Sequence, residues 1–249
     1  MKNILLLLPI LLFTSCSKDD PEPAVTIDAA TVELKYDKEH QFVLTQGTGT
    51  VDASTYTWTS GDTLIGKVDK TGKFIARKIG ETTVKGTLAG KVVESKVTVT
   101  PYITSFKEPY VEFGATTAVV KTKETRKLLS ETATILAYQG ENAKILNVLY
   151  LLETGKLSAS ALLFEESQSM ADDVITFYSE RYPRIGAVEE NLIVFLNDEA
   201  NKAIEVGVSE DLGFYAVYSA FDSKGLRSAK QTGNIKDALS KSYKDLKNK

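Results

Sequence analysis

Two residues bound the chemistry open to this chain: a single histidine, His40, and a single cysteine, Cys16, among 249 positions. Nucleophilic triads need a base beside the nucleophile, and zinc sites need several His or Cys ligands. With one residue of each type neither arrangement can be built, nor can an internal disulfide. Carboxylates remain, as the adjacent pairs Glu165-Glu166, Asp172-Asp173, Glu189-Glu190 and Asp198-Glu199. Sequence neighbours point to opposite faces of a strand or about 100° apart on a helix, so these pairs do not present an acid and a nucleophile to one substrate. Gly47-Thr48-Gly49 lacks the following helix and further glycines of a phosphate cradle. His40, between Glu39 and Gln41, reads as a solvated or capping residue. The sequence therefore assembles no catalytic constellation, and no enzyme, metal site or cofactor is the leading expectation.

Cys16 acquires a role from its context. Lys2 is followed by an apolar run over 4–13, about half the ~20 residues needed to span a bilayer. This is the pattern of a signal peptide over 1–15 and not of a transmembrane helix. Phe13-Thr14-Ser15-Cys16 resembles a bacterial lipobox, with Phe13 where Leu is usual and Ser15 where Gly or Ala is usual. The resemblance implies cleavage before Cys16 and lipidation of its sulfur, hence a membrane partner through the acyl chains. Ser17-Lys18-Asp19-Asp20 is similar to the export signal of Bacteroidota surface lipoproteins, which implies the extracellular face of the outer membrane. Pro21-Glu22-Pro23 stiffens the tether over 16–24.

Formal net charge is -3 and the pI is near 5.5. That is no footprint for a phosphate backbone, and nucleic acid is not an expected partner. The charge is uneven: from Ser223 onward eight Lys or Arg stand against two Asp, a net of +6 that leaves -9 for the rest.

The elements that must position any site fall into two blocks. Over 25–101, short alternating apolar runs broken by Gly, Asp and Lys predict an antiparallel sandwich, with strands near 31–34, 41–45, 56–59, 73–76, 82–87 and 92–99. In the last of these Val93, Val97 and Val99 share a face opposite Glu94, Lys96 and Thr98. Trp58-Thr59-Ser60-Gly61-Asp62, the run from Gly66 through Val68-Asp69 and Gly72 to Ala76, and Gly80-Glu81-Thr82-Thr83-Val84 together resemble a group 2 bacterial Ig-like (Big2) domain. That resemblance implies an Ig-type sandwich used for presentation. It also implies that Trp58 is a core residue and not a sugar platform.

A linker is expected over 102–109, then an α+β domain over 110–249. The periodicities predict a helix over 116–129, strands over 132–138, 144–152 and 156–164, a helix over 169–182, and strands over 191–196, 202–209 and 214–221. Helix plus three strands, twice, suggests tandem units. The order resembles that of BamE-like and β-lactamase-inhibitor-like envelope domains, with Phe113-Gly114 and residues 150–157 in comparable places. A terminal amphipathic helix over 235–246 aligns Ile235, Leu239, Tyr243 and Leu246.

Strands apolar on both faces need two covers. Ile145, Leu149 and Leu151 alternate with Leu146, Val148, Tyr150 and Leu152, and Phe214, Ala216 and Tyr218 alternate with Tyr215, Val217 and Phe221. The terminal helix is the expected second cover. Were that face open, Tyr150, Tyr215 and Tyr218 would be the ligand contacts. Three readings follow: a surface binding or adhesion protein for a glycan or protein ligand with the Ig-like domain as spacer, a structural or accessory subunit of an envelope complex, and a carboxylate-dependent hydrolase.

Overall fold

The computed structural model describes residues 22–182, 184–189, 192–221 and 229–247. The expected signal peptide, the lipidation site Cys16 and the residues to 21 lie outside the described residues. The first block contains β1 (Val25–Ile27), β2 (Thr31–Lys35), β3 (Glu39–Gln41), β4 (Leu44–Gln46), β5 (Gly49–Val51), β6 (Thr57–Ser60), β7 (Gly66–Val68), β8 (Lys73–Ala76), β9 (Gly80–Leu88) and β10 (Lys91–Thr100). They form sheets of order β1-β4-β5, β3-β8-β7 and β2-β10-β9-β6, antiparallel except for the parallel pair β2 and β10. Alternation in β10 buries Val93, Ser95, Val97 and Val99 and leaves Glu94 and Lys96 outside.

Trp58 lies in this core as expected, stacked on Phe42 at 5.7 Å, with its indole N–H donating to the Ala53 carbonyl at 2.8 Å. The 69–72 turn that supports it is fixed by Asp69, whose carboxylate accepts the N–H groups of Thr71 and Lys73 at 2.8 and 3.0 Å. Gly72 holds φ +80°, and a Cβ there would stand 2.9 Å from the Trp58 ring. Glycine is thus required twice, for the left-handed backbone and for the close approach.

The second block is one eight-stranded antiparallel sheet. Its strands are β11 (Leu128–Glu131), β12 (Ile135–Gln139), β13 (Ile145–Glu153), β14 (Lys156–Phe164), β15 (Arg184–Glu189), β16 (Leu192–Leu196), β17 (Lys202–Ser209) and β18 (Gly213–Ala220), in the order β11-β12-β13-β14-β18-β17-β16-β15. Helix α1 (Thr117–Lys123) precedes the first four strands, α2 (Gln168–Ser179) the second four, and α3 (Ala229–Lys247) follows. The two four-stranded meanders meet at their last strands, where β14 pairs antiparallel with β18.

Several expectations change. The helix expected over 116–129 stops at Lys123, because Glu124 turns inward to an Arg126 and Tyr150 network and residues 128–131 gain a backbone ladder with β12. The strand expected from 132 begins at Ile135. Thr132 spends its hydroxyl accepting the N–H groups of Thr134 and Ile135 in the intervening turn. Each meander thus has four strands and not three, the added members being the edge strands β11 and β15. The 102–109 segment is a packed connection: Phe106 is buried, with ring centroids 4.2 Å from Phe177 and 5.8 Å from Phe164, and Ile103 and Tyr110 pack on the same core.

Both faces of the sheet are covered. On one, α2, Val120 of α1 and residues 103–113 cover Tyr138, Tyr150, Leu162, Phe164, Phe195 and Tyr218. On the other, Ile235, Leu239 and Tyr243 of α3 cover Leu149, Leu151, Ala161, Leu163, Tyr215 and Val217. The side chain of Leu246, expected on the same stripe, lies outside the described side chains. Strict alternation put Ile145 with Leu149 and Leu151. A register shift between Ile145 and Asn147 moves it to the α2 face with Val148, Tyr150 and Leu152, and leaves Leu146 exposed. A one-residue slip flips every side chain on its far side, which is why alternation fails there.

Candidate functional site

The three candidate contact tyrosines are all buried. Tyr150 and Tyr218 are 0% exposed on the α2 face, and Tyr215 is 2% exposed beneath α3. They share neither a face nor a surface, so the open binding face centred on them does not exist. Their hydroxyls have internal work. Tyr150 donates to Glu124 and accepts the Tyr110 N–H at 3.1 Å, while the Tyr218 hydroxyl meets that of Tyr178 at 2.5 Å. Burial, and for Tyr150 then the Glu124 carboxylate, push these phenols well above the ordinary tyrosine range.

Two of the adjacent carboxylate pairs are each engaged with separate partners. Asp172 accepts from Gln168 at 2.9 Å, Asp173 from Lys144 at 2.7 Å, and Glu199 from Asn197 at 2.6 Å, while Asp198 pairs with Lys78. The side chain of Glu189 and all of Glu190 lie outside the description. His40 stands in β3, edge-on to Phe42 at 4.7 Å, with Nε2 3.2 Å from Asp28. Among the described residues no group of three or more His, Cys, Asp or Glu could hold a metal ion, and no helix is long and apolar enough to cross a membrane.

One polar cluster carries no signal in the sequence. Arg126 reaches Glu124 at 2.8 Å, Glu141 at 2.7 Å and the Lys107 carbonyl at 2.9 Å, bordering a cleft with Lys107, Pro109 and Tyr110. Burial alone would raise the Glu141 carboxyl, but hydrogen bonds from Arg126 and from the Lys107 N–H outweigh it and hold the group below the usual range. Both carboxylates are spent on Arg126. The cluster therefore anchors the 107–110 segment and leaves no free acid or base. Glu141 is 15 residues from Arg126, too far for any local spacing to reveal.

A groove lies beside α3. The helix sits over the middle of the sheet, and the groove, of about 460 Å³, runs between its flank and β11, β12 and the end of β13. Ile135, Ala137 and Leu151, buried with the core under α3, lie at its base. Ser130, Thr132 and Thr134 line the sheet side, and Ala238 and Ser242 of α3 form the opposite wall. Glu153, Asn234, Lys241 and Asp245 line it as well. Glu153, Lys241 and Asp245 are exposed and make no ion pair among the described residues. The nearby lysines of α3 are engaged elsewhere, Lys236 with Glu205 at 3.1 Å and Lys244 with Asp211 at 2.5 Å. Among the described residues no aromatic ring lines the groove. Its size is within the range of small-ligand and side-chain pockets. Sequence reasoning found the α3 stripe but not the groove, because the width a helix leaves uncovered depends on where it docks.

Residues 23–101 match the family model described as Bacterial Ig-like domain (group 2), and this part of the chain carries such a domain. No curated protein matches the chain. Among solved structures, one of a candidate phosphatase from Bacteroides thetaiotaomicron aligns at 10% identity and a TM-score of 0.21, over 82% of this chain. The chain spans 50% of the length of that protein.

Proposed function

We propose that this is a lipid-anchored cell-envelope protein without enzymatic activity, which binds a protein segment in the groove between α3 and strands β11 to β13. The Ig-like domain is the spacer between membrane and groove. The observation that carries the reading is the groove itself: a buried apolar base flanked by hydroxyls, with exposed charges of both signs on Glu153, Lys241 and Asp245 that make no ion pair among the described residues. Such a surface suits a peptide that offers two or three apolar side chains between charged ones. A glycan is the poorer occupant, since sugar faces are met by aromatic rings and the described lining of the groove has none. Anchoring through Cys16 and display on the outer face rest on the Lys2 to Asp20 segment. We read the two helix-plus-meander halves as tandem units whose joined sheet provides a floor wide enough for α3 and a ligand side by side.

Two experiments test the reading. Cys16→Ala in cells labelled with a palmitate analogue should lose label and leave the membrane fraction; a variant that keeps both refutes the anchor. On protein and glycan arrays the chain should bind peptide targets, and Lys241→Glu with Asp245→Lys should abolish that binding without unfolding the domain. Binding unaffected by both inversions refutes the groove. A fixed subunit of an envelope complex is the second reading, favoured by Leu128 and Leu129, which are 38% and 43% exposed on the edge strand β11. It predicts a stoichiometric partner on purification and no array binding.

A further inference from the structure

The spacer role says nothing about whether the Ig-like domain swings or is fixed, and the junction between the two blocks speaks to that. Glu180, which follows α2, is 0% exposed, and a buried carboxylate is tolerated only with its acceptor sites filled. Here they are filled from the connection between the blocks. The Tyr102 N–H donates to one oxygen at 2.7 Å, the Ile103 N–H to the other at 3.3 Å, and the Arg181 guanidinium pairs with the same carboxylate. Arg181 also donates to the Ile103 carbonyl at 3.1 Å and to the Phe177 carbonyl at 3.0 Å, and its guanidinium stacks 3.6 Å above the Phe177 ring.

Other contacts reach past the connection into the Ig-like domain. The Ile79 N–H, in the turn between β8 and β9, donates to the main-chain carbonyl of Glu180 at 2.8 Å. Its neighbour Lys78 pairs with Asp198 in the turn between β16 and β17, and the two side chains are 19% and 31% exposed. On the Ig-like side, Tyr102 donates to Asp37 at 3.2 Å, and Lys35 donates to the Pro101 carbonyl at 2.8 Å. The blocks therefore touch at the covalent junction near Pro101, at Ile79 with Glu180, and at Lys78 with Asp198. One point of attachment leaves a ball joint and two leave a hinge axis. A third off that axis removes the hinge.

We infer that the Ig-like domain and the eight-stranded domain form one rigid arm, locked by a Glu180–Arg181 clamp that grips the 101–103 connection and the 78–79 turn together. The arm fixes the direction in which the α3 groove faces relative to the tether. It depends on none of the assignments made for the groove or for Cys16, and it stands or falls by a separate measurement.

Spin labels at Lys67→Cys in β7 and Val208→Cys in β17, both exposed positions, in a Cys16→Ser chain, give the interdomain distance by double electron-electron resonance. The arm predicts one narrow distance distribution. Glu180→Ala, and Glu180→Gln with its unchanged shape, should replace it with a broad one while each domain keeps its circular dichroism. Lys78→Ala, at the rim, removes one attachment and should broaden the distribution less. A broad distribution in the otherwise unaltered chain overturns the rigid arm. A distribution that stays narrow in a folded Glu180→Gln and Lys78→Ala double variant overturns the clamp. Loss of peptide binding in the groove variants, with the narrow distribution intact, bears on the proposed function alone.

Discussion

Leu239→Ala tests whether α3 is a structural cover for the sheet. Leu239 is 0% exposed at the centre of the i, i+4, i+8 stripe of Ile235, Leu239 and Tyr243. Truncation removes three carbons, about 2.4 kcal/mol at ~0.8 kcal/mol per buried CH₂, before any cavity term. Buried Leu→Ala changes cost about 2–5 kcal/mol in all, and partial closing of α3 onto the sheet keeps this one near 3. At roughly 2 kcal/mol per M of urea, the midpoint should fall by about 1.5 M. The assay separates the domains: Trp58 is the sole tryptophan and lies in the Ig-like core, so its fluorescence follows that domain, while near-ultraviolet dichroism is dominated by tyrosines of the eight-stranded domain. The shift should appear in the dichroism and be smaller in the fluorescence. An unchanged dichroism midpoint would refute the assignment of α3 as a cover and reopen the face over Leu149, Leu163, Tyr215 and Val217 as an interaction surface.

The remaining predictions concern the interior. Gly66→Ala places a Cβ 2.1 Å from the end of the Phe74 ring and should destabilise the Ig-like domain by about 1–3 kcal/mol, read as an earlier Trp58 fluorescence transition. Tyr178→Phe leaves the buried Tyr218 hydroxyl without its partner and should cost about 1–3 kcal/mol, while the double change with Tyr218→Phe should recover part of that, a thermodynamic cycle by urea denaturation being the check. Tyr150, Tyr178, Tyr182 and Tyr218 have phenols raised above 10.0 by burial. Above that pH the unfolded chain releases protons that the folded chain keeps, so stability is complete below pH 10.0 and declines as pH rises beyond it. Ultraviolet titration should show these four ionising only as the domain unfolds; free titration in the folded state would contradict their burial.

Local patterns made much of the architecture legible. The β14 and β17 ranges coincide with the expected strands, and β10 shows the expected buried stripe of Val93, Val97 and Val99, because alternation at period 2 is enforced by one buried face. Trp58 and its Asp69 to Gly72 turn were readable for a similar reason: the turn needs a left-handed residue at a fixed offset. Expectation failed where a distant partner decides. The truncated α1 and the inward turn of Glu124 depend on Tyr150 and Arg126, and the edge strand β11 depends on its ladder with β12, none of which the spacing near residue 124 announces.

By itself, the sequence determined that this chain holds an Ig-like sandwich followed by a second block of strands and helices, read as α+β and found to be β-rich with few helices, that its strands there are apolar on two faces, and that triad and multi-histidine chemistry are unavailable to it. These are properties of composition and short-range period, fixed before any long-range contact forms. The tertiary structure decided which residues face each cover, through the slip at Ile145. It buried the three tyrosines that an open face would have exposed, left the groove beside α3, and closed the junction around Glu180. Each of those depends on where one element lands on another, and docking energies come from contacts between residues far apart in the chain, which local sequence does not encode.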